Sequence, residues 1–142
     1  MIQGTPVNVL DFMSDAQKAD VLSNAGTVDV TAPIAAAIAT LGLVGTPTGG
    51  GVVMFPKGTY LCNISIVGTV NSSIGEYGIK LSGYGATLKG KPTESSVIQI
   101  GGAVAGTPIV PPINTYVNGL RIEGFTIDMT GMPAAASTYG IA

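Results

Sequence analysis

Two six-residue stretches of this chain, Gly78-Ile79-Lys80-Leu81-Ser82-Gly83 and Gly119-Leu120-Arg121-Ile122-Glu123-Gly124, spell one pattern: glycine, apolar, cation, apolar, polar, glycine. Each runs directly into a second short strand-like piece, Ala86-Thr87-Leu88 after the first and Phe125-Thr126-Ile127-Asp128 after the second. Successive strand residues point to opposite faces. Leu120, Ile122, Phe125 and Ile127 therefore turn inward, while Arg121, Glu123, Thr126 and Asp128 turn outward. The same alternation puts Tyr60, Cys62, Ile64 and Ile66 on one side of an earlier strand, and Val97 to Ile100 reads as another. No helical pattern separates these pieces, which excludes alternating strand–helix units from the second half. Similar units recur at roughly 20 residues, the range of solenoid repeats. Glycine suits the corners, where left-handed backbone conformations are useful. Tyr139-Gly140-Ile141 reads as the start of one more unit.

The composition fits a long, narrow core. Only 10% of the 142 residues are charged, against about 25% in ordinary domains. Twenty-one glycines and nine prolines demand frequent turns, and aromatics supply only 6%. The net charge of −2 and the scattered cations leave no nucleic-acid footprint. No apolar run approaches the roughly 20 residues that span a membrane. The start, Met1 to Pro6, has no charged and apolar regions of a signal peptide. With no histidine, His-dependent nucleophilic catalysis and the commonest metal ligand are both absent. Cys62 stands alone and reads as a small buried hydrophobe.

The first third is different. Val7 to Leu10 reads as a brief strand. Ser14 caps a helix over Asp15 to Leu22, with Gly26 just past its end. Thr31 caps a second helix, which has Pro33 in its first turn and stops at Gly42; Ile34, Ile38 and Leu41 share its apolar face. The remaining faces are mostly alanine, as expected of a helix covered by loops or by a partner subunit. Val52 to Phe55 is apolar on both faces, which predicts a strand covered by that helix. Gly68 to Tyr77 reads as a loop, and Gly101 to Tyr116, with Pro108, Pro111 and Pro112, as an excursion too proline-rich for a strand.

The order Val9-Leu10-Asp11-Phe12, Val28-Asp29-Val30-Thr31, Ile34 to Ile38, and Gly50-Gly51-Val52-Val53-Met54-Phe55-Pro56-Lys57-Gly58-Thr59-Tyr60 resembles the opening of the pectate-lyase-like superfamily. Phage tailspikes and capsular polysaccharide depolymerases carry that opening. Phe12-Met13-Ser14-Asp15-Ala16-Gln17 with Ala19-Asp20-Val21 is similar more particularly to tailspikes. The resemblance covers nearly the whole chain. It implies a mainly β fold, a right-handed parallel β-helix with an N-terminal α-helical cap. Residues 1–48 would form the strand and cap, and 49–142 the first coils, the solenoid breaking off after about three of them. It implies a parallel homotrimer in a virion tail, joined to the phage tail or an adaptor protein. That assembly would bind a bacterial surface polysaccharide and cleave it by hydrolysis or β-elimination in coils beyond this chain. Two other functions stay open: a non-enzymatic receptor-binding stalk of a tail fibre, and a bacterial pectate-lyase-like or polygalacturonase-like enzyme.

Candidate chemistry is sparse. Hydrolysis of a glycosidic bond needs two carboxyl groups roughly 5–10 Å apart. Only Glu123 and Asp128 share a coil, and the corner at Gly124 turns them to different sides; solvated outward positions are the plainer reading. Lys80 and Arg121 fall at equivalent places of two coils and form a small cationic ladder for sugar carboxylates, or pair with neighbouring acids. Tyr84 and Tyr116 offer faces for sugar stacking, whereas Tyr60 belongs to the core. Asp11 and Asp29 sit at chain turns and a helix start. No metal constellation and no cofactor motif is present.

Overall fold

A computed structural model describes residues 6–41, 51–66, 76–77, 79–100, 117–118, 120–134 and 139–141. The glycine pair before Gly51, the stop at Gly42, most of the loop to Tyr77 and the proline-rich excursion to Tyr116 lie outside them. The chain is mainly β. Its elements are β1 (Val7–Asn8), α1 (Asp15–Leu22), α2 (Thr31–Ala39), β2 (Gly51–Met54), β3 (Gly58–Cys62), β4 (Ile64–Ile66), β5 (Glu76–Tyr77), β6 (Ile79–Gly90), β7 (Ser96–Ile100), β8 (Val117–Asn118), β9 (Arg121–Asp128) and β10 (Tyr139–Ile141).

Every strand pairing among the described residues is parallel. Three ladders carry all of them except the separate β5–β8 pair. The first aligns Val7, Val53, Leu81 and Ile122 across β1, β2, β6 and β9. The second aligns Tyr60, Leu88 and Ile127 across β3, β6 and β9. The third aligns Ile64, Ile98 and Ile141 across β4, β7 and β10. The chain therefore visits the ladders in one order three times, at Val53, Tyr60 and Ile64, then Leu81, Leu88 and Ile98, then Ile122, Ile127 and Ile141. Aligned apolar residues stack between rounds, so Val53, Tyr60, Ile64, Leu81, Leu88 and Ile98 are buried almost completely. Leu120, Ile122, Phe125 and Ile127 pack on this core as the alternation predicts.

Several expectations change. Tyr139–Ile141 does not begin a new round but completes the third ladder beside β7. Leu81 pairs with Ile122, a wider spacing than the roughly 20 residues read from the repeat, because the rounds carry inserted segments. Glu76–Tyr77, assigned to a loop, pairs with β8. The early strand is shorter, since Val9–Phe12 forms a 3-10 turn capped by the Asn8 side chain. The strand at β2 is not buried on both faces: Val53 and Phe55 point inward, but Met54 is 43% exposed. The helix expected to cover it lies elsewhere, against β4 and the 3-10 turn.

The cap is built from local rules. Ser14 and Gln17 form a reciprocal capping box at the start of α1. Thr31 is not the cap of α2 but its first residue, and the Val30 side chain makes no capping bond. The Thr31 hydroxyl instead accepts from the Asn63 amide at 3.1 Å, while Asp29 Oδ1 accepts from the Thr31 amide at 2.9 Å. Each ladder's first full round meets a cap element: β1 pairs with β2, α1 lies on β3, and α2 lies on β4. Such cover satisfies a sheet edge that would otherwise recruit other strands.

The Phe-Pro-Lys-Gly-Thr-Tyr stretch has a physical reason at each end. The Tyr60 hydroxyl donates to the Pro56 carbonyl at 2.6 Å, and the Phe55 and Tyr60 rings meet edge to face at 5.3 Å. Phe55 also meets Phe125 at 5.1 Å. At Gly58 a Cβ would come within 2.7 Å of the Val21 carbonyl oxygen and 2.6 Å of its Cγ1. Glycine there lets α1 sit directly on β3.

Candidate functional site

The outward face of the first ladder gathers the described polar residues of the two six-residue repeats. Lys80 is in register with Arg121, and Ser82 with Glu123, so the two cations do stack as neighbours. Lys80 Nζ contacts Glu123 Oε1 at 2.5 Å, with their side chains 33% and 26% exposed. That hydrogen bond, aided by the charges of Lys80 and Arg121 and by the Tyr84 hydroxyl, holds the Glu123 carboxyl below its usual range. Arg121 is exposed and makes no ion pair within 4.0 Å among the described residues.

Tyr84 owes its position to an irregularity in the ladder. Gly83, Tyr84 and Gly85 of β6 pass opposite the single residue Gly124 of β9, since Ser82 pairs with Glu123 and Ala86 with Phe125. A bulge of this kind re-aims a side chain. Gly85 and Gly124 take φ of +83° and +80°, which only glycine adopts freely. Tyr84 is pushed out to 73% exposure. Its backbone and ring edge rest on Gly124, where a Cβ would lie 2.9 Å from Tyr84 Cδ1. Gly83 is filled against from the inside, because a Cβ there would strike the Phe125 ring. Lys57, at the turn between β2 and β3, runs its stem past Gly85.

Glu123 and Asp128 are not brought together. Glu123 stands on the first ladder beside Lys80, and Asp128 on the second, in register with Lys89. Asp128 accepts from the Thr130 amide at 2.9 Å, which with the Thr130 side chain lowers its pKa. Both carboxyls are thus held ionised, the opposite of the raised pKa that a general acid needs.

The sequence reading missed a second cluster. Lys91 Nζ lies 2.8 Å from Asp29 and 3.8 Å from Glu94, tying the cap to the second round. Burial works against the charged form of Asp29, but bonds from Lys91 and Thr31 outweigh it and lower its pKa. Nearby, Asn63 Nδ2 donates to the Ser96 carbonyl at 2.6 Å, joining successive rounds. No spacing in the sequence announces these contacts, since they depend on the register between rounds. Cys62 is buried, and burial together with the Asp29 charge pushes its thiol up to about 12. Among the described residues, no three His, Cys, Asp or Glu side chains gather as a metal site, and no helix is long and apolar enough to cross a membrane.

No family model matches the chain, and no curated protein matches it. A solved structure, ORF18 of Geobacillus virus E2, has a similar fold, with a TM-score of 0.59 and 23% sequence identity. The likeness covers 96% of this chain and 22% of that one, so the chain spans about a fifth of the length of the protein it matches.

Proposed function

We propose that the chain is the N-terminal cap and first coils of a right-handed parallel β-helix, in a phage tailspike-type protein that engages a bacterial surface polysaccharide. The observation that carries this reading is the threefold passage through three parallel ladders in constant order, with apolar residues stacked at every visit. Crossovers between parallel strands are almost always right-handed, which sets the hand of the winding. The first 48 residues act as the cap and 49–142 as the winding. The viral source of the structural neighbour supports a phage setting, and a tail location and a parallel homotrimer belong to the same reading.

This chain's part is to scaffold and to bind. Among the described residues, Glu123 is paired with Lys80 and Asp128 with the Thr130 turn, on different ladders, so these two do not form an acid–base couple. The test is immobilisation of the purified chain against a panel of capsular and O-antigen polysaccharides, neutral and acidic, followed by sizing of the bound polymer. Retention of at least one polymer at unchanged length is expected. A folded chain that retains none would overturn the binding role and favour a stalk without receptor contact.

A further inference from the structure

We infer that the corner at Tyr84 is a binding site for an acidic sugar unit, with the Tyr84 ring as its platform and Arg121 as its carboxylate receptor. This rests on the polysaccharide-binding reading and names the substrate class. Three features of the corner converge. The ring is 73% exposed yet seated on Gly124, so it presents a fixed face rather than a loose side chain. A flat apolar face with a polar tip stacks on the C–H side of a pyranose while its edge stays wet.

The local charge is opposite to that of the chain. The whole chain carries −2, but here Lys80 and the Tyr84 hydroxyl both bond Glu123, the Arg121 charge acts on the same carboxylate, and the Lys57 stem passes Gly85 beside Tyr84. Glu123 is taken by Lys80. Arg121, one strand position from Glu123's neighbour Ile122, keeps its planar fork of donors for an external anion. Such a fork binds a carboxylate in two parallel hydrogen bonds, which also fixes its orientation. Lys57 contributes long-range attraction across the corner. A neutral sugar would gain the stacking but leave the cations uncompensated, so the corner selects uronate- or sialate-type units.

The test measures binding of the whole chain to polygalacturonate, alginate, hyaluronate and polysialate, to carboxyl-reduced polygalacturonate, and to poly-L-glutamate as a sugar-free polyanion. At least one acidic glycan is expected to bind, its carboxyl-reduced or neutral counterparts at least about tenfold more weakly, and poly-L-glutamate no better than these. Tyr84→Ala and Arg121→Ala each weaken that binding by about tenfold or more with an unchanged melting temperature. Glu123→Gln, which removes one negative charge and releases the Lys80 ammonium, tightens it. Binding of neutral polysaccharides alone overturns the acidic assignment while leaving the polysaccharide reading standing. Equal binding of poly-L-glutamate, or indifference to Tyr84→Ala, shows simple charge attraction and overturns the platform. Failure of every glycan, including the neutral panel, removes both readings.

Discussion

Replacing Gly58 by alanine gives a direct probe of how the cap is seated. The added Cβ would meet two groups of α1 at once, the Val21 carbonyl oxygen at 2.7 Å and Val21 Cγ1 at 2.6 Å. Both distances fall well inside van der Waals contact, and the carbonyl belongs to a helix that cannot yield locally. Relief requires α1 to lift from β3. Overpacking of this kind costs about 1–3 kcal/mol, and the rigid backbone contact places Gly58→Ala near the upper end, at about 2–3 kcal/mol. For a chain of this size that lowers the melting temperature by roughly 6–10 °C, read by circular dichroism. Val21→Ala removes only the Cγ1 contact. The double variant should therefore recover part of the loss, with a coupling of about 1 kcal/mol. A Gly58→Ala protein within about 0.5 kcal/mol of the parent would refute the seating of α1 on β3.

Other expectations follow from burial and charge. Leu88→Ala, at a fully buried position stacked between Tyr60 and Ile127, should cost about 2–5 kcal/mol by chemical denaturation; a loss below about 1 kcal/mol would mean the rounds do not share a packed core. Asp20, Asp29, Glu123 and Asp128 all have lowered pKa values in the folded chain. A depressed folded pKa contributes stability that is present above the ordinary value (3.8 for Asp) and lost as pH falls through the folded one. Thermal scans should accordingly show stability falling gradually as pH drops below about 4, and Lys91→Met should shrink that acid loss; a flat profile down to pH 2.5 would contradict it. Cys62, with its thiol pushed up to about 12, should resist thiol reagents at pH 8 in the native state and react only on unfolding.

Much of the strand pattern was legible because alternation is local. Leu120, Ile122, Phe125 and Ile127 declare their faces within a few residues, and the matched pattern around Lys80 and Arg121 anticipated a register that the structure confirms. The capping box at Ser14 and Gln17 is equally local. The failures are all relational. The location of α2 depends on which strand meets it, so the cover assigned to β2 falls mainly on β4 and the 3-10 turn. Thr31 looked like a cap because its type suits one, yet its hydroxyl goes to Asn63, 32 positions away. At the candidate site, Lys80, Arg121 and Tyr84 were visible as residue types. The bulge that lifts Tyr84, and the approach of Lys57 to Gly85, exist only once β6 is aligned with its neighbours. The same holds for the Lys91–Asp29 pair, which joins the turn before α2 to the end of β6.

The order and register of the first ladder are the heart of the account, and paired cysteines test them most directly. Val52, Lys80 and Arg121 are aligned on its outer face across β2, β6 and β9. Neighbouring strands lie about 4.8 Å apart, within reach of a disulfide, whereas strands two apart, at about 9.6 Å, are beyond it. In a Cys62→Ala background, the pairs Val52→Cys with Lys80→Cys and Lys80→Cys with Arg121→Cys should cross-link within one chain on mild oxidation, and Val52→Cys with Arg121→Cys should not. Cross-linking of the outer pair, with either neighbouring pair remaining free, would contradict the β2-β6-β9 order and register of the first ladder.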